Sequence, residues 1–381
     1  MIVRPLTEYC TLNMGQSPDS KTYNTQGKGL PFYQGNADFG ETHPITHVWC
    51  SAPVKVAEDG DILISVRAPI GAMNMAVERC CIGRGLAALT PIRNKCSKQF
   101  LYYALQSKVD SLIAQGTGST FKAISKKVLE ATCIPAYSTT EQEQIAETID
   151  HVDNTITARR KQLALLDQLV KSRFIELFGD PMTDVSKWSA STIGEQFNVS
   201  SGGTPATGEK AYWENGTIPW IGSNMCQDTM LSENDGKFIT EEGYAHSSAK
   251  WFHKGTVLVA LVGATIGKTA LLRFDTTTNQ NIAAIDVTQN AAFSSEFVFY
   301  HMQMLYSKFM EIGSGKFKMA NQGFIRQLPL ICPPIEFQEQ FAAFVEQTDK
   351  SKYYSSLSFR YCQAAANTYR QEWMTCRTSD F

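Results

Sequence analysis

Two stretches of the sequence have spacings that could bind a nucleotide or support methyl transfer. Gly263-Ala-Thr-Ile-Gly267-Lys268-Thr269 follows an apolar strand, as the phosphate-binding loop of many ATPases does. It is one residue short of the spacing that lets such a loop wrap around phosphates, so we interpret it as a glycine turn between strands.

The second stretch, Cys332-Pro-Pro-Ile335, vaguely resembles the site with which amino-methyltransferases act on a flipped base. It lacks both the polar residue that would hold the amine and the aromatic residue that would stack on the base. We interpret it as a proline-rich junction. The sequence also has no glycine-rich dinucleotide loop, so we expect neither catalytic residues nor a cofactor in this chain.

Ten cysteines and six histidines could indicate a metal site or disulfides. The sequence has no CxxC, and the only close pair is the vicinal Cys80-Cys81, so the spacing favours neither. We expect no metal and mostly buried, reduced thiols in a cytoplasmic protein. The longest apolar run, at 257–262, is far too short to cross a membrane.

The residues that indicate a function best are loop cations interleaved with amide and hydroxyl side chains. Cations hold phosphates, whereas Asn, Gln and Arg read base edges, so the pattern suits DNA. Without the internal repeat described below, however, the pattern favours an ordinary solvated surface. The net charge of −2 argues mildly against a DNA binder that works alone. The candidate DNA-binding residues are Gln34, Asn36, Arg84, Thr117, Lys122, Thr204, Asn224, Lys268, Asn279, Gln280, Lys316 and Lys318.

A long amphipathic helix lies between the two groups of candidates. Thr140-x-x-Glu143 has the pattern of a capping box, and Gly179 followed by Pro181 marks the end. Between them, apolar residues recur at alternating steps of four and three, which is a heptad pattern. About 38 residues at ~1.5 Å each predict a rod of roughly 57 Å. The residues predicted to pair helices are Ile145, Ile149, Val152, Ile156, Leu163, Leu166, Val170 and Leu177.

The partner of this helix is predicted in the same chain. The run from Gln142 to Ala146 recurs 196 residues later as Gln338-Glu-Gln-Phe-Ala342, which adds Phe341 and Val345 to the helix-pairing residues. Glycines and strand-like runs before each helix recur in the same order at offsets of 188 to 197. This repeat predicts an α+β protein with two similar α/β domains carrying different surfaces, separated by two long helices.

With its duplicated unit, its Gly202-Gly-Thr-Pro205 turn and its two Pro…Glu-Gln helix entries, the chain resembles the specificity subunit of type I restriction–modification systems. The resemblance implies two target-recognition domains, at 1–137 and 183–335, and two antiparallel coiled-coil helices, at 138–182 and 336–375, related by a pseudo-two-fold axis. It implies that each domain reads one half of a bipartite site in double-stranded DNA.

The resemblance also implies partners that carry the chemistry. Methyltransferase subunits, which bind S-adenosylmethionine and methylate adenine, would dock on the helices, and a motor and nuclease subunit would join the complex. This chain would then be a non-enzymatic subunit whose helices set the spacer between half-sites. A rod of ~57 Å equals about 17 base pairs at ~3.4 Å each.

The sequence departs from the family at its end. After about residue 353 leucine is scarce and no Phe-Gly closes the second helix, so we expect an atypical distal helix and hypothesise a frameshifted or recombined end. Two alternatives stay open: an enzyme, either a methyltransferase or an ATPase, and a coiled-coil adaptor without a DNA role.

Overall fold

The computed structural model describes residues 2–118, 122–183, 187–312 and 319–374. The chain forms two compact units. The first holds the chain up to Arg160 and again from Leu357, and the second runs from Lys161 to Ser356.

The first unit is built from two larger sheets and a short pair of strands. One sheet has the order β2-β10-β7-β8, the other β3-β5-β4-β9-β6, and β1 pairs with β11. All neighbours are antiparallel except β4 and β9, which run parallel. The elements are β1 Val3–Pro5, β2 Cys10–Met14, β3 Tyr23–Asn24, β4 Leu30–Tyr33, β5 Trp49–Cys50, β6 Val56–Ala57, β7 Ile62–Ser65, β8 Met73–Met75, β9 Cys80–Ile82, β10 Leu86–Pro91, α1 Lys98–Gln106, α2 Val109–Ala114, α3 Lys126–Ala131, β11 Cys133–Pro135 and the long helix α4 Thr139–Phe178.

The second unit repeats this plan. The sheet β13-β21-β18-β19-β15 corresponds to the first sheet with one strand added, β16-β14-β20-β17 corresponds to the second, and β12 pairs with β22. The strands β14 and β20 again run parallel. The elements are β12 Ser189–Thr192, α5 Ile193–Gln196, β13 Asn198–Ser200, β14 Ile218–Ile221, β15 Thr229–Leu231, β16 Phe238–Ile239, α6 Glu241–Ala245, β17 Trp251–Phe252, β18 Val257–Ala260, β19 Thr269–Leu272, β20 Thr276–Thr278, β21 Ile282–Asp286, α7 Ser295–Met304, α8 Tyr306–Met310, α9 Gln322–Gln327, β22 Pro329–Cys332 and the long helix α10 Ile335–Met374.

The predicted long helix is confirmed as α4, but its cap lies two residues earlier than expected. The Ser138 hydroxyl accepts from the Glu141 amide at 3.3 Å, while the Glu141 carboxylate accepts from the Ser138 amide at 2.8 Å. Ser138 rather than Thr140 therefore forms the capping box, because the helix already begins at Thr139. At the other end Gly179 has φ +83° and its amide bonds to the Ile175 carbonyl, as expected of a C-cap glycine.

The heptad residues of α4 are buried or half-buried, but several of them enter the cores of the units. Ile145 and Ile149 belong to the core of the first unit, and Val170 to that of the second. Phe174 and Phe178, which the heptad pattern passes over, are fully buried in the second unit. The ends of α4 thus bury a wider face than the strict seam predicts. The other predicted positions, Val152, Ile156, Leu163, Leu166 and Leu177, are buried or half-buried.

The helices α4 and α10 pack together in both units. In the second unit Lys352 forms an ion pair with Asp167 at 2.8 Å. In the first, the Arg160 guanidinium lies 5.4 Å from the centre of the Phe359 ring. Within the first unit Asp153 pairs with Arg370 and Arg160 with Phe359, so a later residue of α4 contacts an earlier residue of α10 and the two helices run in opposite directions.

The distal part of α10 remains helical through Met374 despite its atypical sequence. Thr348, Ser355 and Ala366, which occupy seam positions in the copy of the heptad pattern, are buried. Small side chains, two of them polar, therefore take the places that leucines would fill. Residues 375–381 lie outside the described part of the chain.

One buried glutamine joins each long helix to the domain before it. The Gln142 amide oxygen accepts from the Ser97 amide at 2.9 Å, and its nitrogen donates to the Lys95 and Tyr137 carbonyls. Gln338 does the same with the Ser294 amide, also at 2.9 Å, and with the Ala292 and Pro333 carbonyls. The recurring Gln-Glu-Gln sequence is therefore a repeated joint: the first glutamine is buried in each copy, and the second, Gln144 or Gln340, is exposed.

The described cysteines are free thiols, and most are buried. Burial raises the pKa of Cys10, Cys80, Cys96 and Cys226 to about 12, so these thiols stay protonated at neutral pH. Within the part of the chain that the structure describes, no helix is both long enough and apolar enough to span a bilayer.

Candidate nucleic-acid interface

The candidate residues of the first unit lie where two parallel strands end. Gln34 follows β4 and Arg84 follows β9, and the carboxyl ends of parallel strands meet at one edge of a sheet. Backbone bonds continue the ladder past the strands, from the Gly83 amide to the Tyr33 carbonyl at 2.8 Å and from the Gly85 amide to the Gln34 carbonyl at 3.1 Å. The sheet thus brings Gln34, Asn36 and Arg84 together.

The second unit builds the same edge from β14 and β20. Asn224 follows β14, whereas Asn279 and Gln280 follow β20. The Asn279 amide bonds to the Ile221 carbonyl at 3.1 Å, which is the same bond that Gly83 makes with Tyr33. Three residues from two separate loops therefore share one edge.

A glycine-led turn lies against each edge. A Cβ added to Gly15 would lie 2.1 Å from the Gly83 oxygen, and one added to Gly202 would lie 2.1 Å from the Thr278 oxygen. Only glycine permits this approach, which brings the hydroxyl residue two positions later onto the edge.

These hydroxyl residues bond to the residues that follow β9 and β20. Ser17 Oγ accepts from the Arg84 amide at 3.2 Å, and Thr204 Oγ1 donates to Gln280 Oε1 at 2.6 Å. The sequence reasoning included Thr204 but missed Ser17. The repeated Gly-x-Ser/Thr-Pro pattern, at Gly15–Pro18 and Gly202–Pro205, is the signal that could have identified it.

A cavity of about 360 Å³ opens at the edge of the first unit, between Gln34, Asn36, Arg84 and a further arginine, Arg67. The Arg67 carbonyl accepts from Ser65 Oγ at 2.8 Å, and its backbone pairs with Ala123. Sequence reasoning did not select Arg67, because only the pairing of β7 with β10 places the end of β7 beside the residues that follow β9.

The loop beside Arg67 carries two more candidates. Thr117 pairs with Ala123, and the Lys122 carbonyl accepts from the Ala68 amide at 3.1 Å. Both side chains are exposed. The structure thus places Thr117 and Lys122 beside the backbone of Arg67 and Ala68, although neither residue lines the cavity.

The charge at this edge is positive and unpaired. Arg67 and Arg84 are exposed, and no carboxylate among the described residues lies within ion-pair distance of either guanidinium. The nearby Asp38 carboxylate is occupied by the backbone amides of Gln34 at 2.6 Å and Gly35 at 3.2 Å. The guanidinium groups are therefore free to bind an acceptor from outside the chain.

Among the described candidates, Lys268 does not join these edges. Lys268 forms an ion pair with Asp228 and lies over the Tyr306 ring at 4.9 Å, so its charge is already partnered. Lys316 and Lys318 lie outside the described residues.

The stretch that resembles a phosphate loop is a turn between β18 and β19, as expected. Gly263 and Gly267 adopt positive φ, and a strand rather than a helix follows. The Thr269 hydroxyl is buried and donates to Asp228. Among the described residues, no group of His, Cys, Asp or Glu side chains is placed to hold a metal ion.

Solved structures share this fold over nearly the whole chain. The S subunit of a type I restriction-modification system from M. genitalium matches 99% of this chain and 96% of its own length, with a TM-score of 0.63 and 17% identity. A chain from a study of complex assembly and conformational transition of the type I R-M system has a TM-score of 0.61 and 15% identity, covering 98% of this chain and 97% of that one. Both likenesses concern the fold.

Three curated relatives match parts of the sequence. A Methanocaldococcus jannaschii protein provisionally named as the MjaX type I restriction enzyme specificity subunit is 41% identical over 164 residues, 43% of this chain and 39% of the relative. The MjaIX specificity subunit of the same organism is 24% identical over 301 residues, 71% of this chain and 69% of the relative. The EcoR124I/EcoR124II specificity subunit of Escherichia coli is 26% identical over 212 residues, 52% of this chain and 49% of the relative.

The profile of one family matches the sequence twice, at residues 1–168 and 185–353, and so covers each copy of the repeated plan. That family is described as the type I restriction modification DNA specificity domain. With the same fold in each unit and the same polar edge in each fold, the chain belongs to this family of type I restriction–modification specificity subunits.

Proposed function

We propose that the chain is the sequence-reading subunit of a type I restriction–modification complex, and that each unit reads one half of a bipartite target in double-stranded DNA. The observation that carries this proposal is the repeated edge at the ends of two parallel strands. In both units the framework of this edge is the same, while the side chains on it differ.

The chemistry of the edges suits base recognition. Arginine, glutamine and asparagine can each make two hydrogen bonds to the major-groove edge of a base. Gln34, Asn36 and Arg84 offer these groups in the first unit, and Asn224, Asn279 and Gln280 in the second. Lys122, together with Lys316 and Lys318, would hold phosphates and set the position of the protein on the duplex.

The rest of the architecture would then assemble the complex. We propose target-recognition domains at 1–137 and 183–335, joined by an antiparallel coiled coil of 138–182 and 336–375 with pseudo-two-fold symmetry. Methyltransferase subunits would dock on the helices, and a motor and nuclease subunit would join through the complex. Methylation and cleavage would belong to those partners in the cytoplasm, and this chain would be non-catalytic.

The helix pair would also set the spacer between the two half-sites. Each long helix has 40 residues, or about 60 Å at ~1.5 Å per residue. That length equals about 18 base pairs at ~3.4 Å each. Inserting one helical turn into both helices should lengthen the unread spacer, whereas an unchanged spacer would show that the helices do not set its length.

The central test is a methylation map of host DNA with the gene present, deleted and restored. We expect a gapped, two-part adenine motif that disappears on deletion and returns on complementation. An unchanged methylation map after deletion would overturn the proposal.

A further inference from the structure

We propose that the two units read different bases: Arg84 reads a guanine in one half-site, and Gln280 reads an adenine in the other. This proposal rests on the proposed function, which it deepens by assigning a base to each edge. It follows from a residue-by-residue comparison of the two edges.

The ladder of backbone bonds fixes which residues correspond. Tyr33 pairs with Ile82 in the first unit as Ile221 pairs with Thr278 in the second. The residue two positions beyond the second strand of each pair is therefore Arg84 in one unit and Gln280 in the other.

A second position shows the same contrast. The Val66 amide bonds to the Gly85 carbonyl at 2.9 Å, and the Leu261 amide bonds to the Asn281 carbonyl at 2.9 Å. Arg67 consequently corresponds to Val262. Both arginines of the first edge are thus replaced in the second, one by an amide and one by an apolar residue.

The first edge has the chemistry for guanine. Guanine shows two acceptors, O6 and N7, in the major groove, and an arginine fork donates to both. Arg84 is exposed and has no carboxylate partner among the described residues, while Ser17 holds its backbone amide at 3.2 Å. Its donors therefore face outward from a fixed backbone.

The second edge has the chemistry for adenine. Adenine shows an acceptor, N7, and a donor, N6, which a carboxamide matches with one donor and one acceptor. Thr204 donates to Gln280 Oε1 at 2.6 Å. One lone pair of that oxygen and both hydrogens of Nε2 remain for a base, so Thr204 is a positioning residue that holds the end of the Gln280 side chain.

The experiment compares the motifs methylated by the assembled complex carrying the wild-type chain, Arg84→Gln, Arg84→Lys or Gln280→Ala. We expect Arg84→Gln and Arg84→Lys to reduce the preference for guanine at one position of one half-site by about 10-fold or more. Gln280→Ala should reduce the preference for adenine in the other half-site similarly. The spacer and the untouched half-site should stay the same, which also shows that the variant complex is intact.

Arg93→Gln is the matched control, since Arg93 is an exposed cation of the first unit that does not line the cavity. It should leave the motif unchanged. If Arg84→Gln weakens methylation of all sequences equally while Arg84→Lys restores it, Arg84 contacts phosphate and the proposal is wrong.

A wild-type motif without guanine in the half-site that Arg84 affects would also overturn the assignment, as would both variants affecting one half-site. In each of these outcomes the host DNA still carries a gapped methylation motif that depends on the gene, so only the base assignment is wrong. The proposed function itself is wrong only if no gene-dependent gapped motif exists.

Discussion

Arg370 donates two hydrogen bonds of 2.6 Å from one guanidinium nitrogen to both carboxylate oxygens of Asp153. The two residues lie on α10 and α4, and both belong to the first unit. Nearby, the Tyr137 hydroxyl donates to the Trp373 carbonyl at 3.2 Å. The atypical end of α10 is therefore attached to its unit by specific polar contacts.

Replacing Arg370 should destabilise the first unit. The two side chains of the pair are 30% and 34% exposed, so solvent screening limits the loss for Arg370→Met to about 1–2 kcal/mol. The measurement is the urea midpoint of the full chain. Arg360→Met is the control, because Arg360 is exposed on the same helix and has no ion-pair partner among the described residues. Equal losses of stability in the two variants would show that the ion pair of Arg370 with Asp153 does not stabilise the unit.

Removing the buried glutamines should cost more than removing their exposed neighbours. Gln142→Leu or Gln338→Leu leaves one backbone amide and two backbone carbonyls without their partner, and we expect a loss of about 3 kcal/mol. The controls are Gln144→Leu and Gln340→Leu, which change the exposed glutamine of the same sequence. Calorimetry of the full chain would give the melting temperatures of all four variants. Similar melting temperatures would show that the hydrogen bonds of the buried glutamines do not stabilise the protein.

The aromatic cluster of the second unit should be sensitive to truncation. Phe174 lies 5.6 Å from Phe297 and 5.4 Å from Phe341, measured between ring centres, and is fully buried. Phe174→Ala should cost about 3–5 kcal/mol because it leaves a cavity. Ile175→Ala, at a position 43% exposed, should change the unfolding free energy by less than about 1 kcal/mol. A larger loss for Ile175→Ala than for Phe174→Ala would show that this face of α4 is not the buried one.

His301 should make the second unit sensitive to mild acid. Burial lowers the pKa of its imidazole from 6.5 to about 4, although a hydrogen bond to the Pro329 carbonyl opposes the shift. Below pH 6.5 the histidine of the unfolded chain binds a proton, whereas the buried imidazole of the folded chain stays neutral. The free energy of unfolding therefore decreases as the pH is lowered from 6.5 to about 4. The steepest slope is about 1.4 kcal/mol per pH unit.

His301→Gln, which keeps a donor for the Pro329 carbonyl, should flatten this part of the stability profile. His246→Gln is the control, since His246 is an exposed histidine of the same unit. Unfolding free energies between pH 7 and pH 4 give the comparison. A His301→Gln profile as steep as that of the unchanged protein would rule out the buried imidazole as the cause.

The long helices and the repeat could be predicted from the sequence because their signals are local. The period of α4, the turn at Gly179 and the recurring Gln-Glu-Gln each lie within a few residues. Phe174 and Phe178 were missed for a physical reason: a strict heptad describes a helix that faces one other helix, whereas this end of α4 is surrounded by α7 and α10.

The candidate interface could be predicted only in part. Single loops supplied Gln34, Arg84, Asn279 and Gln280, because their residue types indicate base recognition. That they share an edge depends on two parallel pairs of strands, and short strands do not reveal their partners. Arg67 was missed because its proximity to Arg84 depends on the pairing of β7 with β10, which follows Arg84 in the chain.

The joint at Gln142 and Gln338 has a consequence for how such a protein can change. Among the described residues, every hydrogen-bond partner of these two side chains is a backbone group, so these bonds do not depend on which side chains the joined unit carries. A unit with the same main-chain path and a wholly different surface would offer the same backbone groups to the glutamine. The sequence of each long helix can therefore stay constant at this contact while the surface of the unit that it joins diverges.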